Sequence, residues 1–177
     1  MKYIFDFDDT LFLTFKLKAW IITCLEKAGF SKEVAQNYYE YRNKNKPFSL
    51  KDLLIFLFEK ENITTTTFNV VYEEIMSICE KILNTELIEK VKKIRKEDCY
   101  LVSNGDQEFQ MDKIERSGIK ELFSEIHITN GSKKIAIEKI CDSNKNEPVI
   151  FIDNKAEFFE DLDFKKYPNL KTILYTN

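Results

Sequence analysis

The chain has 177 residues, 44% hydrophobic and 32% charged, with a formal net charge of −3. That suffices for one packed domain carrying a modest insertion, and the slight acidity argues against a nucleic-acid polymer as partner. The longest apolar run, Leu53 to Phe58, is too short for a membrane span.

The N-terminus carries acids where a signal peptide needs an apolar stretch. Cys24, Cys79, Cys99 and Cys141 fit no zinc or redox spacing. Buried free thiols in a reducing cytoplasm are the expectation.

The first element is Lys2–Phe7, whose Tyr3, Ile4 and Phe5 suit a strand buried on both faces of a parallel sheet. It runs into Asp6, Asp8, Asp9 and Thr10. Asp6 and Asp8 are two apart, so on an extended backbone both carboxylates project to one side. Nothing nearby in sequence neutralises them. A divalent cation such as Mg²⁺ would do so, since it favours hard oxygen ligands. The competing reading is an acidic turn with Thr10 or Asp9 capping the next helix.

Residues 14–83 then read as successive helices: Thr14–Ala28, Ser31–Arg42, Ser49–Lys60 and Phe68–Leu83. Ser31 and Ser49 are N-cap candidates. The aromatics of this block, including Phe15, Trp20, Tyr38, Tyr39, Phe56 and Tyr72, are expected mostly to pack between helices. The basic loop Arg42–Lys46 is expected to be solvated. A further helix, Thr85–Glu97, leads back to the sheet.

Four more strand patterns follow: Cys99–Ser103, Glu125–Thr129, Val149–Asp153 and Leu170–Tyr175. Between them lie helical patterns at Asp106–Ser117 and Ser132–Asp142, the latter with Ile135, Ala136, Ile137, Ile140 and Cys141 along one face, and a shorter one at Lys155–Leu162. This alternation predicts an α/β architecture: a Rossmann-like parallel five-stranded sheet with helices on both faces. Its site would lie at the carboxyl ends of the strands. A small all-helical insertion would follow the first strand. The expected division is an α/β core of residues 1–13 and 84–177, and a helical unit of residues 14–83.

Ser103-Asn104-Gly105-Asp106 joins the second strand to its helix and could bind an anion at the helix start, or simply make a turn. Lys133 and Lys134 fall in the first helical turn, where positive charge opposes the macrodipole. The helical register directs Lys133 towards the strand ends. Asp153 closes the strand VIFID as Asp6 closes the first; alone, it could merely cap the helix that follows.

In this order the pieces resemble the haloacid dehalogenase (HAD) superfamily. The resemblance runs through DFDDT at Asp6–Thr10, Ser103 in LVSNG, the lysine of NGSKK, and Asp153 in FIDNKAEF. It departs where a second aspartate is usual in the fourth motif; here Asn154 and Glu157 stand instead. By resemblance, residues 14–83 form an α-helical cap domain, and the chain is a Mg²⁺-dependent phosphatase of a small phosphorylated metabolite. Asp6 would be the nucleophile forming an aspartyl-phosphate, and Asp8 the general acid and base. Asp6, Asp153 and the main-chain carbonyl of Asp8 would hold the metal. Ser103, Asn104 and Lys133 would bind phosphate. The acidic neighbours of Asp8 are expected to favour its protonated form. Members that displace halide make no alkoxide and generally lack the second aspartate. The alternatives are a sugar phosphomutase of the same fold and a non-enzymatic, receiver-like module binding phosphate and Mg²⁺.

Overall fold

The computed structural model describes residues 1–176. Its sheet has five strands in the order β3-β2-β1-β4-β5: β1 Lys2–Phe5, β2 Cys99–Asn104, β3 Glu125–Thr129, β4 Val149–Asp153 and β5 Leu170–Leu174. All pairings are parallel, with Phe5 opposite both Leu101 and Ile152. Each strand lies within a residue or two of its predicted position, because strands buried on both faces leave a continuous apolar run in the sequence.

Side chains alternate between the two faces, as a period of two requires. Ile4, Val102 and Phe151 pack with Ile137, Ile140 and Leu162 on one face. Phe5, Leu101 and Ile152 join a cluster on the other that continues into the helical block through Leu17, Ile21, Leu54 and Ile75. The helical block is therefore seated on one face of the sheet by a shared apolar interior.

That block holds α1 (Thr14–Lys27), α2 (Lys32–Gln36), α3 (Leu50–Glu61) and α4 (Phe68–Met76). Ser31 and Ser49 cap α2 and α3 as expected, accepting from the Val34 and Asp52 amides. Two of its helices are shorter than predicted. Asn37 ends α2 by donating its side-chain amide to the Glu33 carbonyl at 3.0 Å, and a 3₁₀ turn, Tyr38–Tyr41, follows. Ser77 ends α4 by donating to the Glu74 carbonyl at 2.7 Å, and a 3₁₀ turn follows at Cys79–Ile82. Both are side chains competing for the helix's own carbonyls.

The two connections between block and sheet run side by side. Leu13 N–H donates to the Ile82 carbonyl and Asn84 N–H to the Leu11 carbonyl, each at 2.8 Å.

After the block come α5 (Thr85–Val91), α6 (Gln107–Arg116) and α7 (Lys134–Ser143). Helix α5 stops short of the predicted Glu97, and Lys155–Leu162 forms only a 3₁₀ turn at Ala156–Phe159, a segment too short to propagate a helix unaided. Ile135 also departs from expectation. It is 82% exposed, one position off the stripe formed by Ala136, Ile137, Ile140 and Cys141. Phe15, Tyr39 and Phe56 are likewise exposed, whereas Tyr38 is buried, so interhelical packing accounts for only some of the aromatics. All four cysteines are buried and free. Burial pushes the thiols of Cys24, Cys99 and Cys141 up to about 11, which keeps them out of nucleophilic chemistry near neutrality.

Candidate active site

The strand order places β1 at the sheet centre, with β2 on one side and β4 on the other. The chain changes direction across the sheet between β1 and β4. Such a switch point opens a crevice at the carboxyl ends of its two strands. Asp6 directly follows β1, where its amide extends the ladder by donating to the Ile152 carbonyl at 2.9 Å. Asp153 ends β4. Two acids from opposite ends of the chain therefore flank one crevice.

Lys133 bridges them. Its ammonium lies 2.5 Å from Asp6 Oδ1 and 2.6 Å from Asp153 Oδ2, and all three side chains are almost fully buried. Thr10 donates its hydroxyl to Asp6 Oδ2 at 2.8 Å. Thr10 therefore serves the acid rather than capping α1, which has Leu13 at its N-cap and no side-chain cap. Lys133 itself stands at the N-cap of α7. Lys134 points elsewhere and donates to the Asp161 carbonyl at 2.6 Å.

Past Asp6 the backbone folds sharply on itself. The Phe7 carbonyl accepts from the Thr10, Leu11 and Phe12 amides, and Asp9 takes a left-handed conformation at φ +57°. Aspartate is among the few non-glycine residues found there with any frequency.

The turn brings Asp8 to a second cation, Lys113 of α6, whose Nζ lies 2.5 Å from Asp8 Oδ1. The Thr14 hydroxyl donates to the same oxygen at 2.6 Å, and Gln110 Nε2 donates to Oδ2 at 2.6 Å. The predicted protonation of Asp8 is overturned here. Burial works to raise its pKa, but the Lys113 ammonium and the Thr14 and Gln110 donors outweigh burial and hold the carboxyl below its usual range. No local sequence pattern supplies these donors. Asp6 goes the other way. Burial raises it against the pull of Lys133, with Asp153 adding to the rise, to about 6.

Asp6, Asp8, Asn104 and Lys133 line one cavity of about 350 Å³. Asn154 and Lys155 border it too, as do Leu17, Ile21, Tyr38 and Phe48 from the helical block. Asp153 and Ser103 are fully buried and stand behind its wall. The Ser103 hydroxyl has no hydrogen-bond partner. The Asn104 side chain accepts from the Gly131 amide at 2.8 Å, which ties the loop after β2 to the loop before α7. Glu157 is exposed and does not border the cavity.

Sequence reasoning missed Lys113 and Gln110. One signal was available: they occupy a single buried stripe of α6 with Phe109 and Ile114, where polar side chains need a reason.

Among the described residues no three acidic, histidine or cysteine side chains gather as a metal cluster. Magnesium is typically held by one or two carboxylates, completed by substrate oxygens and waters. Asp6 and Asp153, already brought together on one cation, fit that donor set.

No family model matches the chain, and no curated protein matches it in sequence. Its architecture is similar to solved hydrolases. A haloacid dehalogenase-like hydrolase from Burkholderia xenovorans superimposes with a TM-score of 0.63 at 16% identity, covering 96% of this chain and 81% of that one. A β-phosphoglucomutase from Thermotoga maritima gives 0.59 at 18% identity, over 100% and 87%. The magnesium-bound HAD-hydrolase YfnB of Bacillus subtilis gives 0.54 at 15%, over 97% and 84%. The fold is an α/β one with a parallel, doubly wound, Rossmann-like sheet. More particularly, it is the fold of the haloacid dehalogenase superfamily.

Proposed function

We propose that the protein is a Mg²⁺-dependent phosphatase that hydrolyses a small phosphate monoester, with Asp6 as nucleophile. The observation that carries this reading is the convergence of Asp6, Asp153 and Lys133 on one crevice, with Asp8 beside it on the cavity wall. An acid poised next to a nucleophilic carboxylate serves a leaving group that needs a proton. A halide needs none, so Asp8 favours phosphate ester over haloacid.

In the first step a carboxylate oxygen of Asp6 attacks phosphorus, the P–O ester bond breaks, and Asp8 gives its proton to the departing alkoxide. In the second, water attacks the aspartyl-phosphate, Asp8 takes its proton, and Asp6 is released with inorganic phosphate. Asp6, Asp153 and the Asp8 carbonyl would hold Mg²⁺, which supplies charge neutralisation at the phosphoryl oxygens when bound. Lys133, the Ser103 hydroxyl and the Asn104 amide would bind the remaining oxygens. The unpartnered Ser103 hydroxyl supports that role, since buried polar atoms rarely go unsatisfied. Ionised in the free protein, Asp8 takes one proton from solvent as the ester binds, gives it to the alkoxide in the first step and takes one back from the attacking water in the second.

Asp6→Asn is expected to abolish Mg²⁺-dependent release of phosphate from p-nitrophenyl phosphate while the circular dichroism spectrum stays native. Retained turnover by that variant would remove the nucleophile assignment. Isomerised sugar phosphate in place of free phosphate would favour a mutase.

A further inference from the structure

The cavity has two unlike sides. One is charged and comes from the strand-end loops, with Asp6, Asp8 and Lys133. The other comes from the helical block and is largely apolar: Leu17 and Ile21 of α1, Tyr38 of the 3₁₀ turn, and Phe48 just before α3. Aromatic rings meet in a row on this side. Tyr38 and Tyr39 have centroids 6.2 Å apart, Tyr39 and Phe48 5.3 Å, and Phe48 meets Phe109 of α6 edge-on at 5.6 Å and 72°. Phe48 is thus held between the block and α6, while half-buried and still open to the cavity.

Interior packing alone does not account for Tyr38. The residue is 4% exposed, yet among the described residues no hydrogen bond holds its hydroxyl. A buried phenol normally finds a partner, and phenylalanine would pack there without leaving one unmet. An unbonded hydroxyl on a cavity wall has its hydrogen bond free for a bound molecule. The side chains around it, Leu17, Ile21 and Phe48, have no polar atoms. Lys18 also borders the cavity from α1 but is exposed, its ammonium 5.7 Å from the Tyr39 ring centroid. The bordering amides Asn130 and Asn154 follow β3 and β4, and so belong to the charged side. A sugar would bring several hydroxyls to the apolar wall, where each loses its water with one phenol to share. An aromatic ring loses nothing there and gains edge-to-face or offset contact with Phe48. The cavity, about 350 Å³, is of ordinary size for a small-molecule site.

We propose that the substrate is a phosphate monoester whose leaving group carries an aromatic ring with a polar substituent. The ring packs against Phe48, and the substituent takes the free hydrogen bond of Tyr38. The proposal rests on the phosphatase reading and adds the class of alcohol released. Phe48 and Tyr38 set specificity and leave the reacting atoms to the strand-end loops.

The test uses esters of primary alcohols, whose alkoxides leave with similar difficulty, so that kcat/KM reports contacts made by the leaving group. With Mg²⁺, kcat/KM for 2-phenylethyl phosphate should exceed that for glycerol 1-phosphate at least about tenfold, as burial of the ring predicts. It should exceed that for 2-cyclohexylethyl phosphate about threefold, the increment of an aromatic pair beyond its area. In Phe48→Leu, which keeps apolar bulk without the ring, the preference for phenyl over cyclohexyl should vanish. Among the ortho-, meta- and para-hydroxyphenyl analogues, at least one should gain about threefold over the phenyl parent and lose that gain in Tyr38→Phe. No preference for the phenyl ester, a preference untouched by Phe48→Leu, or a hydroxyl gain that is absent or survives Tyr38→Phe would each overturn the proposal. Turnover of p-nitrophenyl phosphate and glycerol 1-phosphate without any ring preference removes the proposal alone. If no ester, p-nitrophenyl phosphate included, releases phosphate, the phosphatase reading fails and the proposal with it.

Discussion

At the scale of single residues, charge balance governs the site. Two carboxylates, Asp6 and Asp153, share the single ammonium of Lys133 in a nearly dry interior. One negative charge is left over, and burial assigns the cost to Asp6, whose pKa rises to about 6. Folded Asp6 therefore binds its proton more tightly than unfolded Asp6, whose ordinary value is about 3.9. Its contribution to stability is present in full below about pH 4 and is lost as pH rises through about 6. Asn at this position carries no charge and leaves Lys133 paired one-to-one with Asp153. Without metal, Asp6→Asn is expected to melt higher than the unmodified protein at about pH 7.5, with the advantage vanishing near pH 4. Thermal unfolding in chelator across that range checks it; an advantage that grows on acidification would reverse the assignment. On the proposed mechanism, the same residue trades stability for a nucleophile.

Among the elements, α6 links the sheet to the helical block. Arg116 pairs with both Glu73 oxygens at 2.8 and 2.9 Å and with Asp112 at 2.7 Å. Asp112 in turn accepts the Tyr72 hydroxyl at 2.6 Å. Both Tyr72 and Glu73 belong to α4, so the network fastens the block to the helix that carries Lys113 and Gln110. Exposed pairs contribute little singly, and a shared network somewhat more. Arg116→Ala is expected to cost about 1 kcal/mol in urea unfolding at low salt, and less at high salt as screening removes the pair's contribution. A loss independent of salt would point to packing of the Arg116 stem against Tyr72 rather than to charge.

Elements also mark where sequence reasoning reached and where it stopped. The five strands were legible because burial on both faces leaves unbroken apolar runs ending in turn residues. Helix ends at Asn37 and Ser77 were not, because they depend on which carbonyl a short polar side chain captures. The exposure of Ile135 was obscured by apolar neighbours on both sides.

Across the whole molecule, the candidate site was legible as a list of strand-end residues but not as a set of contacts. Asp6, Lys133 and Asp153 could be expected to meet because parallel strands deliver their carboxyl ends to one edge. The choice of Lys133 over Lys134 for the buried position followed from helical register, and the structure places Lys133 there. The ionised state of Asp8 did not follow, since it depends on how α6 docks against the first loop, more than a hundred positions away in sequence. Ser103 was legible as a strand-end hydroxyl, whereas its lack of a partner emerges only from the packed sheet.

The most direct measurement is the mass of the protein trapped in mid-turnover. Asp8→Asn should slow release of the phosphoryl group, so acid quenching during reaction with dinitrophenyl phosphate and Mg²⁺ should leave one phosphoryl group on the peptide that contains Asp6. A phosphoryl group on Ser103 or any other residue, or steady turnover with no phosphorylated peptide at all, would contradict the mechanism.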